Sequence, residues 1–208
     1  MIYEPKSFWK NKGALGEQEF QVPHEQMMQE MYLLRGILNQ HDFKSVLEIG
    51  AGSGRFTKFI CENFHIETYV CLDYSADRLN RLLDSIPSWD LRNKEMTITC
   101  IPKSYNATFV TNEIEKFDIV FLSHVLLHIP PFEIADFVDR LFTNCKGEII
   151  NIDYFESSGV PSQELADYNF LYNYPSLFKQ IGRGRVKHID RVKVDEWVSI
   201  FRTGVRSL

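Results

Sequence analysis

Residues 45–58 read SVLEIGAGSGRFTK, and this stretch decides the fold. Val46, Leu47 and Ile49 make a short apolar run interrupted only by Glu48. Gly50, Gly52 and Gly54 then alternate with other residues, and a helical pattern begins at Arg55. An apolar run, a glycine turn and a helix make the first half of a βαβ unit. Glycine is needed where the backbone takes positive φ, or where a ligand comes too close for a Cβ. A helix start adds N–H groups and a partial positive charge. Together these features imply a ligand lying on the backbone.

Three ligand classes use such turns, and the spacing separates them. A phosphate loop needs GxxxxGK followed by Ser or Thr, but Arg55 stands five places after Gly50. A dinucleotide fingerprint needs GxGxxG, and the chain has GxGxG with Phe56 and Thr57 beyond it. The acidic-x-Gly-x-Gly-x-Gly spacing of Glu48, Gly50, Gly52 and Gly54 resembles the first motif of the class I S-adenosylmethionine-dependent methyltransferases. The resemblance implies an α/β class and a three-layer Rossmann-like methyltransferase fold. Its seven-stranded sheet is mostly parallel, with the last strand antiparallel and the order 3-2-1-4-5-7-6. S-adenosyl-L-methionine would be the cofactor.

The rest of the chain is consistent with that pattern over about residues 25–205. Helical periodicity runs from His24 to about Asn39, with Met27, Met28, Met31, Leu34, Ile37 and Leu38 expected in the core. Strands are expected over 45–49, 68–72, 96–101, 117–122 and 148–152, alternating with helices over 55–63, from 76 to Pro87, and to about Phe142. Ser75 is an N-cap candidate, with Asp77 in the first turn behind it. A further helix is expected near Leu165–Lys179. Two alternating strands are expected over Arg185–Arg202, with a turn at Val194 and Asp195; joined tightly, they must be antiparallel. Arg183, Arg185, Lys187, Arg191 and Lys193 would form their solvent faces. The whole chain, 1–208, reads as one methyltransferase domain. Residues 1–24 would form an N-terminal arm and 156–183 a substrate-covering insertion. Phe8, Trp9 and Phe20 in one, and Tyr168, Phe170, Tyr172 and Tyr174 in the other, are aromatics the sheet does not need.

Asp73 ends the second strand about 20 residues past the glycine turn, where a carboxylate can accept two hydrogen bonds from a ribose diol. A helix cap or loop acid is the plainer role. The resemblance implies that Glu48 helps hold the methionine end of the cofactor, and that main-chain groups of Gly50, Ala51 and Gly52 line it. Tyr74 would pack on the adenine or ribose. After strand three the family places an acidic or polar residue near the adenine amino group. Here the stretch carries Ser104 and Asn106 and no acid. The fourth site is SHVLLHIPP, residues 123–131, at the carboxyl end of strand four, the edge where open α/β sheets bind ligands. Ser123 would face the cofactor. His128 is the catalytic candidate, as general base, orienting group or structural histidine. His124 and His128 stand four apart, but Pro130 and Pro131 keep any helix short and no HExxH is present, so no metal is expected.

The 208 residues are 44% hydrophobic and 13% aromatic with net charge −5, which supports a real core and argues against general affinity for nucleic acid or anionic membranes. No apolar run approaches the roughly 18 residues of a membrane helix. The N-terminus lacks a signal-peptide core. The four cysteines, Cys61, Cys71, Cys100 and Cys145, form no CxxC pair and suit a reducing cytoplasm. The expected function is transfer of a methyl group to a small molecule by in-line displacement. Positioning alone can supply roughly 7–11 kcal/mol there, so no catalytic triad is required. An RNA methyltransferase, a non-catalytic S-adenosylmethionine-binding regulator or partner subunit, and an NAD-dependent oxidoreductase are the alternatives.

Overall fold

Strands covered on both faces need no polar alternation, and the first strands follow that rule. The computed structural model describes residues 24–102, 116–155, 162–165 and 169–206. The chain divides into two compact units, Met1–Ala107 and Thr108–Leu208.

In the first unit β1 (Ser45–Ile49) buries every residue after Ser45, and β2 (Thr68–Asp73) buries Tyr69 to Leu72. The more exposed β3 (Thr97–Pro102) completes a parallel trio in the order β3-β2-β1. Helix α1 (His24–Leu38) precedes the sheet, α2 (Arg55–Asn63) follows the glycine turn, and α3 (Ala76–Ser85) packs on β2 and β3. Ser75 caps α3, its Oγ accepting from Arg78 N at 3.3 Å. The buried line of α1 differs from the expected methionine stripe. It runs through Glu30, Leu34, Ile37 and Leu38, while Met28 is 51% exposed.

In the second unit β4 (Phe117–Ser123) pairs in parallel with β5 (Cys145–Tyr154), and α4 (Ile134–Asn144) packs on both. Strand β5 starts three residues before the expected Glu148, because α4 leads into it with no linker. Gly147 permits that early pairing: a Cβ there would lie 2.3 Å from the Asp118 carbonyl oxygen, beside a bulge in β4. The expected helix over 165–179 is corrected. Residues Ser162–Leu165 (β6) and Asn169–Tyr172 (β7) form an antiparallel pair, and the helix, α5, spans Tyr174–Gly182. Phe170 and Tyr172 are strong strand formers, whereas Asn173 and Pro175 are helix-start residues. Asn173 Oδ1 accepts from Ser176 N at 3.1 Å. The tail forms β8 (Val186–Lys193) and β9 (Val198–Val205), with β9 antiparallel to both β5 and β8. Asp195 Oδ1 shapes the turn between them by accepting from Trp197 N and Val198 N, both at 2.7 Å.

Apart from the β6–β7 pair, the strands make one seven-stranded sheet ordered β3-β2-β1-β4-β5-β9-β8. That is the expected order, with the antiparallel strand where the sequence placed it.

Candidate functional site

The glycine turn of the first unit has positive φ at each expected position: 75° at Gly50, 57° at Gly52 and 91° at Gly54. Gly54 is required twice over, since a Cβ there would also lie 2.7 Å from Leu82 Cγ on α3. The turn is tied to the end of β2. Leu72 O accepts from Gly50 N at 2.8 Å and Ala51 N at 3.1 Å, and Asp73 Oδ2 accepts from Gly52 N at 2.8 Å. Asp73 Oδ1 accepts from Ser75 N at 2.8 Å. The half-buried Asp73 thus braces both the turn and the start of α3, and burial lifts its pKa above the usual carboxylate value. The Tyr74 main chain also bonds this carboxylate, so three of its roughly four acceptor positions are engaged and one is left for a ligand hydroxyl. The N–H groups of Gly50, Ala51 and Gly52 are already donated inward. A ligand ammonium would therefore meet carbonyl oxygens of the turn, which suits the methionine end of the cofactor. Tyr74 is half-buried beside Asp73.

Strand alternation puts Val46 and Glu48 of β1 on one face, with Tyr69 and Cys71 as their registered partners on β2. Glu48 is 2% exposed, and its Oε2 accepts from Thr57 Oγ1 at 2.6 Å and Tyr69 Oη at 2.8 Å. Its pKa is raised to about 7, chiefly by burial, which the two hydroxyls and the Arg55 charge only partly offset. Arg55 lies 4.3 Å over the Phe56 ring and reaches the buried Glu30 of α1, 3.2 Å from Nη2 to Oε2. Gln26 donates to the other oxygen of Glu30 at 3.1 Å. Glu30, Arg55, Thr57 and Tyr69 escaped the sequence reading. Glu30 was detectable in principle, because it shares the apolar phase of Leu34 and Ile37.

In the second unit, β4 delivers Ser123, half-buried at its end, and the chain then turns sharply. His124 has φ 54°, in the left-handed region, and its N donates to Ile152 O at 2.8 Å. A 3₁₀ turn follows, Leu126–His128, closed by His128 N donating to Val125 O at 3.0 Å. His128 is half-buried between the buried Leu127 and Ile129. Asp153, near the end of β5, was not singled out from sequence. It is 0% exposed, accepting from Leu127 N at 3.2 Å on Oδ2 and from Tyr154 N at 2.9 Å on Oδ1. Burial raises its pKa to about 6, with the charge of His124 the largest opposing influence. The His124 ring packs 5.6 Å from that of Tyr154.

Tyr172 and Tyr174, expected in a covering segment, are buried. Tyr172 Oη donates to Ile129 O, and the Tyr174 ring packs 5.2 Å from Phe201. The Tyr174 hydroxyl lies close enough to hold down the pKa of Asp153, yet it closes no hydrogen bond of normal geometry. Among the described residues the buried amide of Asn151, two places before Asp153 on the same face of β5, has no partner on either atom. Ser104, Asn106, residues 1–23, and Tyr168 lie outside the described residues. Among the described residues no group of three or more His, Cys, Asp and Glu could hold a metal ion, and no helix is long and apolar enough to cross a membrane.

The sheet order and the glycine turn define a class I methyltransferase architecture, and solved structures bear this out. The N-methyltransferase NodS from Bradyrhizobium japonicum WM9, in complex with S-adenosyl-L-homocysteine, superposes with TM-score 0.72 at 15% identity, over 98% of this chain and 100% of that one. Magnesium protoporphyrin IX methyltransferase from Synechocystis PCC 6803, with bound S-adenosylmethionine, gives TM-score 0.67 at 12% identity, over 99% of each chain. A DhpI complex with S-adenosylhomocysteine gives 0.69 at 15%, over 98% of this chain and 96% of that one. No curated protein sequence matches the chain. Residues 47–147 match the family model described as "Methyltransferase domain". That match covers just under half of the chain, and the fold is the one these solved methyltransferases share.

Proposed function

We propose that the protein transfers a methyl group from S-adenosylmethionine to a small molecule, with the cofactor held by residues 48–74 of the first unit; in the second unit the ends of β4 and β5 carry groups suited to an acceptor. When bound, the cofactor supplies an electrophilic methyl; as the acceptor atom bonds to it, the C–S bond breaks and its electron pair returns to sulfur, leaving S-adenosylhomocysteine. Asp73 receives a ribose hydroxyl, and the carbonyls of Gly50, Ala51 and Gly52 face the methionine ammonium. Glu48 keeps that region acidic from beneath. Gly54 sets the start of α2 and Tyr74 flanks the nucleoside; Ser104 and Ser123 are the sequence's further candidates for cofactor contacts. His128 faces the acceptor. The four cysteines are unpaired, as suits a reducing cytoplasm.

The observation that carries this reading is the chemistry of the second unit's sheet edge. Aromatic rings surround few polar groups there: Tyr154, Tyr172 and Tyr174 lie around one carboxylate and one imidazole. Apolar sites with a few convergent polar groups suit small ligands. An RNA acceptor would be served by exposed cations interleaved with exposed aromatics. Two of the tail cations are engaged within the protein: Arg191 lies 3.9 Å over the Phe155 ring, and Arg185 pairs with Asp139 beside Phe142. The test is incubation with methyl-labelled S-adenosylmethionine and a cell extract split into small-molecule and RNA fractions. Label is expected in the small molecules. Label in RNA alone, or formation of no methylated product from either, overturns the reading.

A further inference from the structure

Two cysteines of the first unit stand side by side: Cys71 on β2 is in register with Cys100 on β3. Registered neighbours on adjacent strands point to the same face of the sheet, with their backbones about 4.8 Å apart. That spacing lies inside the Cα–Cα window of a disulfide, about 4.4–6.8 Å. Neither residue is in a disulfide, and a side-chain hydrogen bond already joins the two sulfurs. The pair is unequal in access. Cys71 is fully buried in the middle strand of the parallel trio, whereas Cys100 is half-buried on β3, an edge strand of the sheet. It is unequal in ionisation too. The bond from Cys71 draws the Cys100 pKa below the usual thiol value, and that bond together with burial pushes Cys71 well up. A reachable sulfur with thiolate character beside a protonated thiol suits an attacking cysteine and its resolving partner. The other two cysteines are buried, and burial pushes Cys145 up to about 12 and Cys61 higher still.

We propose that Cys71 and Cys100 form a redox-active dithiol site, which oxidants of the peroxide class close to an intramolecular disulfide and small thiols reopen. The site needs neither cofactor nor acceptor, so it goes beyond the methyl-transfer reading. Cys100 reacts first, because it is the sulfur that an oxidant can reach. Its thiolate attacks one oxygen of hydrogen peroxide; an S–O bond forms, the O–O bond breaks and hydroxide leaves. Cys71 gives its proton to that hydroxide and attacks the Cys100 sulfur. The S–S bond then forms as the S–O bond breaks, and the sulfenic oxygen leaves as hydroxide, which takes up the proton that Cys100 had lost. In sum, two thiols and one peroxide give one disulfide and two waters, with two electrons passing from sulfur to oxygen. Reopening is thiol–disulfide exchange, with the small thiol as reductant. Cys61 and Cys145 take no part, since neither has an exposed sulfur or a lowered pKa.

The test uses the reduced full-length chain. It is treated with hydrogen peroxide, its remaining thiols are blocked with iodoacetamide in denaturant, and it is digested without reduction. Mass spectrometry should find a peptide cross-linked through Cys71 and Cys100, lost on treatment with dithiothreitol, while Cys61 and Cys145 are recovered alkylated. No cross-link, a link to Cys61 or Cys145 in equal amount, or a bond between two chains overturns the proposal. In the native reduced protein, Cys100 should react with iodoacetamide at least about tenfold faster than Cys61 or Cys145. Equal rates contradict its role as the attacking sulfur. Two variants separate the steps. Cys71→Ala should leave Cys100 as a sulfenic acid that dimedone captures, and Cys100→Ser should protect Cys71 from peroxide. Oxidation of Cys71 at an unchanged rate in Cys100→Ser overturns the proposal. Should Cys71→Ala fail to fold, Cys100→Ser on the edge strand and the wild-type cross-link still decide the matter.

Discussion

Each unit buries one isolated carboxylate near the end of a central strand, and the two are held by opposite means. Glu48 is met by two hydroxyls, Thr57 and Tyr69, on a single oxygen. Asp153 is met by two main-chain N–H groups, one on each oxygen, with the Tyr174 hydroxyl close by. Hydroxyls rotate and can either donate or accept, so the Glu48 site tolerates a proton. Amides only donate, and they hold Asp153 as an acceptor suited to a cationic neighbour. Burial alone therefore does not tell what a carboxylate does; the nature of its donors does. One site suits a structural acid beneath the glycine turn, the other a fixed acceptor at the end of β5.

The largest expected effect isolates the rigid side of that contrast. Gly54→Ala meets both the φ of 91° and the Leu82 side chain at 2.7 Å, and should cost about 2–4 kcal/mol in urea unfolding. A cost below about 1 kcal/mol would mean the turn is not the fixed frame described here. Next come the pH windows. A raised carboxyl pKa means that the folded state holds its proton more tightly, so stability is fully present below the unfolded pKa and is lost as pH rises through the folded one. For Glu48 that window runs from 4.5 to about 7, and for Asp153 from 3.8 to about 6. Each is worth about 3 kcal/mol at most. Glu48→Gln should therefore remove pH dependence up to neutrality, and Asp153→Asn only the more acidic part. Identical profiles for the two variants in unfolding from pH 4 to 8 would break the comparison.

Asp73→Asn keeps the shape of the brace and removes its charge. It should weaken S-adenosylmethionine binding by about 10- to 150-fold in calorimetry, as loss of a charge-assisted hydrogen bond of roughly 1.5–3 kcal/mol implies. Unchanged affinity would assign Asp73 to bracing alone. The smallest effect sharpens the Glu48 half. Thr57→Val should cost about 1 kcal/mol and move the Glu48 titration upward, since one of its two hydroxyl donors is lost. A downward movement in carboxyl NMR would contradict the role given to that hydroxyl.

The first unit was the more legible because its signals are local. The spacing of Gly50, Gly52 and Gly54 reports backbone φ directly, and Ser75 before a helical run reports a cap. The second unit depends on partners distant in sequence. Asp153 follows a strand as an ordinary loop acid would, and only the fold brings Leu127 N onto it, 26 residues back in the chain. His124 and His128 look equivalent in SHVLLHIPP, because nothing in that string marks the residue that turns left-handed. The region after Phe155 misled for a related reason. The apolar spacing there fits a helix as well as a strand, and cross-strand pairing of Phe170 and Tyr172 decided it. Buried polar positions within helical phases, Glu30 and Thr57 among them, were passed over because periodicity is read from apolar residues alone.

The glycine turn has one further consequence. With Gly50 and Ala51 sharing Leu72 O, and Gly52 bound to Asp73, its shape is settled without any ligand. Cofactor binding then orders little main chain and loses little conformational entropy there. In hydrogen exchange of the ligand-free protein, these three amides should be as slow as those of β1 itself, and the cofactor should slow them hardly further.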